Sequence, residues 1–376
     1  MKLTENIKKT SIEKETLKNI VSFQQGINKV EEYGLRYFLS LLTENKVFLR
    51  AKKTFNSDSI IKNINVASKY YRFIESLLVM LTRRGLIKKN DTNHFELIES
   101  GFLSSVELNN ELSFIIDAYP LVETSALLLQ KTMKAYLNIL SNKETFLPIL
   151  FPMGSFSIIE QLYGNNPMAA YYNEKIADIC KQYIVHSQDQ KNKKFSILEI
   201  GAGVGATSKK LFSLLNNKQL CEIYCYTDIS QAFINYAKRC FSSYDFIDFQ
   251  ILNIERLPIE QGFFNHYDIV IATNVLHATS NLSMTLAHTH TLLKKGGLFI
   301  LNEAVNVRDF STLTYGLTDG WWRFEDGKKR ILGSPLASLS EWKILLKQTG
   351  FSSVQSFNEL TQFPETIFQD IIISTV

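Results

Sequence analysis

A histidine and a glutamate stand where two apolar, strand-like segments end. His277 lies four residues after the segment YDIVIAT, and Glu303 ends the segment GLFILNE. Because the ends of neighbouring parallel strands lie side by side in a sheet, we expect both side chains to face one crevice. A carboxylate that orients an imidazole makes it a general base for a carbon or oxygen nucleophile. The two residues alone leave open whether His277 acts in this way or only packs and caps.

A glycine-rich segment predicts a binding loop between a strand and a helix. In FSILEIGAGVGATSKKLF the glycines are Gly201, Gly203 and Gly205, and Glu199 stands two residues before the first of them. The third glycine follows the second by two residues, whereas dinucleotide-binding loops have three. This ExGxGxG pattern is associated with binding of S-adenosylmethionine (SAM). Glycines let the backbone approach a ligand closely, and a carboxylate attracts the cationic sulfonium directly or through water.

The ends of the next three strands supply further candidates for the same ligand. Asp228 ends the second strand, where an acid accepts hydrogen bonds from both ribose hydroxyls. A helix N-cap is the alternative for Asp228, although Ser230 is suited to that role. Asn253 and Ile254 follow the third strand and are candidates to meet the adenine. Asn274, with Val275 beside it, is expected beneath the ligand at the open edge of the sheet.

The segments that carry these residues alternate between strand and helix patterns. This alternation predicts an α/β fold: a doubly wound, mainly parallel sheet covered on both faces. Two later segments, SSVQSF and TIFQDIIISTV, complete seven strands. We place a domain boundary in the polar run SQDQKNKK, between a mostly helical subdomain at 1–190 and a SAM-binding core at 191–376.

The N-terminal part contains a helix followed by a hairpin pattern. SKYYRFIESLLVMLTRRG has apolar residues at helical spacing and Gly85 as its stop, and LIKKNDTNHFELIE places two short strands around a polar turn. This order resembles a winged-helix unit. We favour a structural or dimerising role over DNA binding, because the helix lacks a row of side chains suited to base edges. Other helical stretches are expected at about 5–23, 33–42 and 121–140.

Composition limits the partners. The net charge of +4 over 376 residues is too mild to indicate nucleic acid. No secretory leader and no apolar run of 18 residues is present, so we expect a cytoplasmic protein that neither crosses nor binds a membrane. The four cysteines match no zinc or redox spacing. His288 and His290 lie two apart on one predicted helix, which puts them on different faces, and no metal is predicted.

The sequence resembles the carbon-methyltransferase domains of polyketide synthases over nearly its whole length. The resemblance rests on GSFSIIEQLYGNNPMAAYYN, LEIGAGVGATS, YTDIS, LNIERLPIEQGF, NVLHATSNL, LLKKGGLFILNEA and GLTDGWWRFEDGKKRILGSPLASLSEW. It implies a class I methyltransferase fold with a helical lid. It also implies methylation of the α-carbon of a β-ketoacyl thioester on an acyl carrier protein, with S-adenosylhomocysteine (SAH) as the second product.

The resemblance also implies roles for single residues. His277 and Glu303 match the family's catalytic dyad. The aromatic candidates for the substrate chamber, with core packing as the alternative, are Tyr171, Tyr172, Trp321 and Trp322. Two departures from the family pattern are Asn253 in place of the usual Asp and Val204 in place of Thr; an amide oxygen can still accept from an adenine amino group.

The carrier protein is expected to be acidic, and basic side chains are candidates to dock it. They are Lys328, Lys329 and Arg330, or the linker residues Lys191, Lys193 and Lys194, and solvated charge is the alternative for all of them.

Three other functions stay open at this point. One is an O- or N-methyltransferase of a diffusible small molecule. Another is a non-catalytic scaffolding domain that keeps the SAM fold. The third, a nicotinamide-dependent oxidoreductase, is disfavoured by the glycine spacing.

Overall fold

The computed structural model describes residues 7, 12–47, 54–90, 94–98, 105–187, 194–218, 220–264, 266–360 and 368–376. Its N-terminal part is mainly helical. The elements there are α1 (Lys14–Glu44), β1 (Thr54–Phe55), α2 (Ser57–Asn63), α3 (Tyr71–Arg83), β2 (Ile87–Lys89), β3 (Phe95–Leu97), α4 (Ser105–Ala118), α5 (Glu123–Leu140), α6 (Leu147–Leu150), α7 (Ser157–Glu160), a π-helical turn (Gln161–Asn165) and α8 (Pro167–His186).

Helix α1 is longer than the sequence predicts. The two separate stretches expected at about 5–23 and 33–42 are wrong, because one helix runs through both from Lys14 onward; most of 1–11 lies outside the described residues. Gly26 and Gly34 lie within it. A Cβ at Gly26 would come within 2.7 Å of Tyr119 Cβ, and one at Gly34 within 2.8 Å of Leu129 Cδ2. The glycines therefore let neighbouring elements pack directly against the helix backbone, and this packing offsets their low helix propensity.

The predicted hairpin is confirmed. Gly85 has a φ of +70° after the end of α3, and β2 pairs antiparallel with β3, with Ile87 opposite Leu97. The turn at 91–93 lies outside the described residues. Strand β1 pairs with the other edge of β3. The likeness to a winged-helix unit stays a prediction.

The second half forms the predicted doubly wound sheet. Its elements are β4 (Phe195–Ile200), α9 (Ala206–Lys218), β5 (Cys221–Asp228), α10 (Gln231–Cys240), β6 (Ile247–Ile251), β7 (Tyr267–Thr273), α11 (Leu282–Leu292), β8 (Leu293–Ala304), α12 (Asp309–Thr314), α13 (Leu339–Gln348), β9 (Ser352–Ser356) and β10 (Gln369–Thr375). Among the described residues, seven strands form this sheet in the order β6-β5-β4-β7-β8-β10-β9.

The first five strands of that order are parallel, and β10 runs antiparallel to both its neighbours. Every residue of β4 is buried, as is β7 up to Ala272. Burial on both faces explains why these strands are continuous apolar runs. The fold class is therefore confirmed. The carboxyl ends of β4, β5, β6, β7 and β8 meet at one edge, where the predicted site residues lie.

The domain boundary near residue 190 stays a prediction, because most of the proposed linker lies outside the described residues. In the described part of the chain, no single helix has the length and apolar composition to cross a membrane. Helices Glu107–Ala118 and Pro120–Leu140 meet that test only when combined, and they are bent by 118°.

Candidate active site

The glycine loop after β4 makes a tight turn beside the β7 end. Gly201 has a φ of +62°, and a Cβ there would come within 2.3 Å of Val275 Cγ2. Gly203 has a φ of +59°, but apart from the glycine and its two chain neighbours no atom of the described residues lies within 4 Å of the position of a Cβ. The first glycine is therefore required by its positive φ and by the Val275 side chain packed against it, and the second leaves open space above the loop.

Asp228 holds the glycine loop and the start of α10 together. Its Oδ2 accepts a hydrogen bond from the Gly203 N–H at 3.0 Å, and its Oδ1 accepts from the Ser230 N–H at 2.8 Å. Ser230 occupies the N-cap position of α10, but its side chain makes no capping hydrogen bond. Burial raises the pKa of the Asp228 carboxyl, and the backbone donors oppose that effect. Each carboxylate oxygen has two lone pairs, so Asp228 can still accept from a ligand.

Glu199 lies beneath the loop, buried at the end of β4. Its Oε2 accepts from the Tyr224 hydroxyl at 2.5 Å and from the Ser208 hydroxyl. Burial raises the pKa of this carboxyl to about 7, although both hydroxyl bonds act in the opposite direction. A nearby cation favours the ionised form of such a group.

The loop opens into a cavity of about 430 Å³, which we call the glycine-loop cavity. All seven residues predicted to bind the cofactor line it, namely Glu199, Gly201, Gly203, Asp228, Asn253, Ile254 and Asn274. Of the charged residues in its lining, Glu199, Asp228 and Glu255 are acidic and Arg323 is basic. The acidic side chains exceed the basic ones, which suits a cationic ligand.

The turn after β6 is closed by its own hydrogen bonds. Asn253 Oδ1 accepts from the Glu255 N–H at 3.0 Å, and the Asn253 N–H donates to Gln261 Oε1 at 2.9 Å. The carbonyl oxygen of Ile254 lies 2.7 Å from His288 Nδ1. An oxygen that has one donor from its own turn keeps one lone pair for a ligand amino group.

His277 and Glu303 are in direct contact. His277 Nδ1 lies 2.6 Å from Glu303 Oε2. The other carboxylate oxygen accepts from the N–H groups of Leu276 at 2.7 Å and Val275 at 3.0 Å, with a longer contact to that of His277 at 3.4 Å. The Glu303 side chain is fully buried, and that of His277 is 12% exposed. Glu303 therefore fixes the ring and the backbone of the β7 loop, and it selects the Nδ1–H tautomer.

His277 lines a second cavity of about 170 Å³, which we call the histidine cavity. Trp321 also lines it, with its ring centroid 6.1 Å from that of His277. The two cavities adjoin, because five residues line both: Tyr163, Ala169, Asn274, Tyr315 and Gln369. Asn274 has a left-handed φ of +50°, and its N–H donates to the Asn302 carbonyl at 2.8 Å. An imidazole fixed by a carboxylate thus lies in a chamber beside a ligand-sized space.

A family model described as a methyltransferase domain matches residues 198–299. The curated polyketide synthase PksR of Bacillus subtilis is 36% identical over 295 residues, which are 77% of this chain and 12% of that protein. Polyketide synthase ThaQ of Burkholderia thailandensis is 32% identical over 293 residues, which are 76% of this chain and 14% of that protein. The chain therefore spans only a small part of the length of these relatives.

Two solved structures match almost the whole chain. The DszA carbon methyltransferase has a TM-score of 0.91 at 29% identity, and the match covers 99% of this chain and 96% of that one. The CurJ carbon methyltransferase has a TM-score of 0.87 at 27% identity, with the same coverage. Over most of its length the chain is similar to polyketide synthases and to carbon methyltransferases of known structure. It is a SAM-dependent methyltransferase.

The remaining aromatic candidates of this methyltransferase are buried in packing contacts. Tyr171 and Tyr172 pack against each other with centroids 5.2 Å apart, and the Tyr172 hydroxyl donates to the Gln369 carbonyl at 2.5 Å. The Trp322 indole N–H donates to the Gly316 carbonyl at 2.7 Å. None of the three is among the residues that line either cavity in the described part of the chain. Trp321 is thus the member of the predicted set that faces the chamber.

The basic docking candidates differ in exposure. Arg330 is only 8% exposed, and its guanidinium donates to the carbonyls of His277, Thr279 and Pro335. Both expectations for Arg330, a docking contact and a solvated charge, are therefore wrong, because the buried side chain holds the His277 loop. Lys328 is exposed, whereas Lys329 is half-buried and its ammonium donates to the Ser283 hydroxyl at 2.6 Å. Lys194 is exposed, and Lys191 and Lys193 lie outside the described residues.

Several lining residues escaped the sequence analysis. Tyr163, Tyr315, Arg308 and Gln369 line the histidine cavity. Tyr163 belongs to an aromatic-rich stretch, but nothing in the local pattern separates a chamber residue from a core residue. The described residues include no group of three or more His, Cys, Asp or Glu arranged to hold a metal, and the absence of a metal stays a prediction.

Proposed function

We propose that this methyltransferase methylates the α-carbon of a β-ketoacyl thioester carried on an acyl carrier protein, in polyketide biosynthesis. The observation that carries the proposal is the His277–Glu303 contact in a chamber that adjoins the glycine-loop cavity. A methyltransferase that acts on carbon needs a base beside the acceptor, because a C–H proton must leave before or during transfer.

The residues of the glycine-loop cavity fit SAM. The open space over Gly203 gives room for a ligand against the loop backbone, and the acidic lining suits a sulfonium. Asp228 is the proposed ribose acceptor and Asn253 the proposed adenine acceptor, while Glu199 supplies negative charge beneath the loop. When bound, SAM supplies an electrophilic methyl group. The protein residues bind and orient that donor.

His277 is the proposed general base. Its Nδ1–H donates to Glu303 Oε2, so Nε2 carries the lone pair that takes the proton. The ketone and the thioester acidify the α-carbon between them, and loss of its proton gives an enolate. The enolate carbon would then supply the electron pair for the new C–C bond as the methyl–sulfur bond breaks and SAH leaves with that bond's electrons. The proton remains on the imidazolium, which Glu303 stabilises.

The helical N-terminal part, 1–190, is the proposed lid and substrate-binding subdomain. Phe23 and Ile27 of α1 and Leu162 and Met168 around the π-helical turn line the histidine cavity. These apolar side chains exclude water, which protects the enolate from reprotonation and strengthens the charge interactions of the dyad. Lys328 and Lys329 remain the proposed contacts for an acidic carrier protein.

The deciding experiment is incubation of the protein with SAM and 3-oxobutyryl acyl carrier protein. We expect intact mass spectrometry to show one added methylene group, and NMR of the released product to place it on the α-carbon. A methyl group on oxygen would favour an O-methyltransferase instead. Absence of product, in a protein that SAH stabilises against melting, would favour a scaffolding domain.

A further inference from the structure

Arg308 is a buried cation in the wall of the histidine cavity. It follows β8 and forms the N-cap position of α12, and its side chain is 12% exposed. The guanidinium lies over the Phe368 ring, with Cζ 3.3 Å from the centroid. Among the described residues, its guanidinium contacts polar groups of α1: Nη2 donates to Gln24, and Nη1 lies 3.4 Å from Asn28 Oδ1. Neutral amides and an aromatic face therefore supply most of its surroundings.

The charge of Arg308 is not fully balanced by its neighbours. Glu31 Oε1 lies 3.6 Å from Arg308 Nη1, longer than the roughly 2.8 Å of a direct charge-assisted bond. Glu31 also pairs with Arg84 at 2.7 Å, and Arg84 pairs with Asp309 at 2.7 Å. Arg83 contacts Asp309 as well. The cluster thus holds three guanidinium groups and two carboxylates, and Arg308 is the cation farthest from a carboxylate oxygen.

Burial is the main reason that the pKa of Arg308 is lowered, to about 10. At neutral pH the group still carries its charge. A guanidinium has five N–H donors, so one whose carboxylate partner lies 3.6 Å away keeps donors for a ligand oxygen.

The cavity offers no acidic partner. Among its described lining residues there is no Asp or Glu, and the polar side chains are amides, serines, tyrosines and His277. Of the two adjoining cavities, Arg308 lines only the histidine cavity, on the side formed by α1, and it is not one of the five residues that line both. The reacting carbon has to lie near those shared residues, where the methyl group can reach it.

We propose that Arg308 binds an acceptor oxygen of the substrate outside the reacting β-ketothioester unit, and so favours oxygen-bearing acyl thioesters. This inference rests on the proposed function. The oxygen has two possible sources, a further ketone on the acyl chain or an amide carbonyl of the phosphopantetheine arm. Both are hydrogen-bond acceptors that a guanidinium recognises.

The test compares Arg308→Met and Arg308→Lys with the control Arg84→Met. Arg84 belongs to the same charge cluster but does not line the cavity. Each variant is given 3-oxohexanoyl and 3,5-dioxohexanoyl carrier protein, and the S-butyl thioesters of both acids, which lack the pantetheine amides. SAH affinity establishes that a variant is folded. A wild-type protein that methylates none of these substrates refutes the proposed function rather than the role of Arg308.

If the acyl chain supplies the oxygen, the wild-type protein prefers the 3,5-dioxohexanoyl substrate. Arg308→Met then removes that preference, because it raises the KM for the 3,5-dioxohexanoyl substrate roughly 10-fold or more. If the pantetheine arm supplies it, Arg308→Met raises KM for both carrier-bound substrates and leaves the S-butyl thioesters unchanged. Arg84→Met lowers Tm without either effect. The inference is overturned if Arg308→Met and Arg84→Met have the same effect on the KM values for all four substrates. Should Arg308→Met not bind SAH, Arg308→Lys decides by the same comparison.

Discussion

The two adjoining cavities differ in charge and in how the chain builds them. The glycine-loop cavity is lined by Glu199, Asp228 and Glu255, and these come from the carboxyl ends of consecutive parallel strands. The histidine cavity has no acidic lining residue in the described part of the chain, carries Arg308, and is assembled from α1, the π-helical turn and the segments after β8. The difference suits a cationic methyl donor on one side and an acceptor that becomes an enolate on the other.

The largest expected effect is a loss of methylation rate, and it comes from a substitution in the histidine cavity. Changing His277 to Ala should lower the rate of methylation roughly 10²- to 10⁴-fold, because it removes the proposed base. SAH affinity should not change, since His277 does not line the glycine-loop cavity. Steady-state kinetics and calorimetric titration measure the two quantities. His290→Ala, which alters a ring packed on Phe351, is the control; near-normal turnover of His277→Ala would disprove the base assignment.

The buried acid of the glycine-loop cavity should make stability depend on pH. Folding raises the pKa of Glu199 from near 4.5 to about 7, so the folded protein holds this proton more tightly than the unfolded chain. The free energy of unfolding therefore falls as pH rises through that window, by up to about 3 kcal/mol. Glu199→Gln should remove this loss, as urea unfolding at pH 5 and pH 8 would show. An equal pH dependence in both proteins would contradict the effect.

A substitution in the glycine-loop cavity should have a smaller effect, and it should weaken cofactor binding without affecting the acyl substrate. Asp228→Asn places an amide N–H against one of the two backbone N–H groups that now donate to the carboxylate. We expect SAH to bind about 10-fold more weakly, because the amide nitrogen cannot accept a hydrogen bond from a ribose hydroxyl, and a hydrogen bond to a charged group is worth about 1.5–3 kcal/mol. The KM for the acyl carrier substrate should stay unchanged at saturating SAM. If Asp228→Asn raised the KM for the acyl substrate and left SAH affinity unchanged, the assignment of Asp228 to cofactor binding would be wrong.

The smallest expected effect distinguishes two neighbouring tryptophans. Trp322→Phe removes the hydrogen bond to Gly316 and should lower the free energy of unfolding by about 1 kcal/mol while kinetics stay near normal. In Trp321 the indole N–H has no acceptor among the described residues. Trp321→Phe should therefore change the KM of the acyl substrate more than it changes stability. Denaturation and steady-state kinetics on both variants test this contrast. A stability loss mainly in Trp321→Phe, with a changed KM mainly in Trp322→Phe, would contradict it.

The glycine-loop side could be predicted from short stretches of sequence. Its seven predicted residues all line the cavity because each stands at a strand end, and strand ends of a parallel sheet meet at one edge by topology. The His277–Glu303 contact follows from the same rule, since β7 and β8 are neighbours. The strand bounds of β4 and β7 agree with the predicted segments.

The histidine side could not be predicted in this way. Tyr171, Tyr172 and Trp322 have the same aromatic character as Trp321, and only packing places Trp321 at the cavity. Arg330 looks like a surface cation in the sequence, yet its guanidinium donates hydrogen bonds to carbonyl oxygens that come close only after folding. Gly26 and Gly34 resemble helix breaks until the elements packed against them are known.

The sequence by itself determined the sheet, the glycine loop and the His277–Glu303 pair. Local periodicity and strand order place all of these residues at or just after strand ends, which meet at one edge of the sheet. Only the tertiary structure decided which distant aromatic, amide and arginine side chains close the acceptor chamber. Those contacts join segments up to 284 residues apart, such as Arg308 with Gln24, and no local pattern encodes the packing of two surfaces that meet only when the chain has folded.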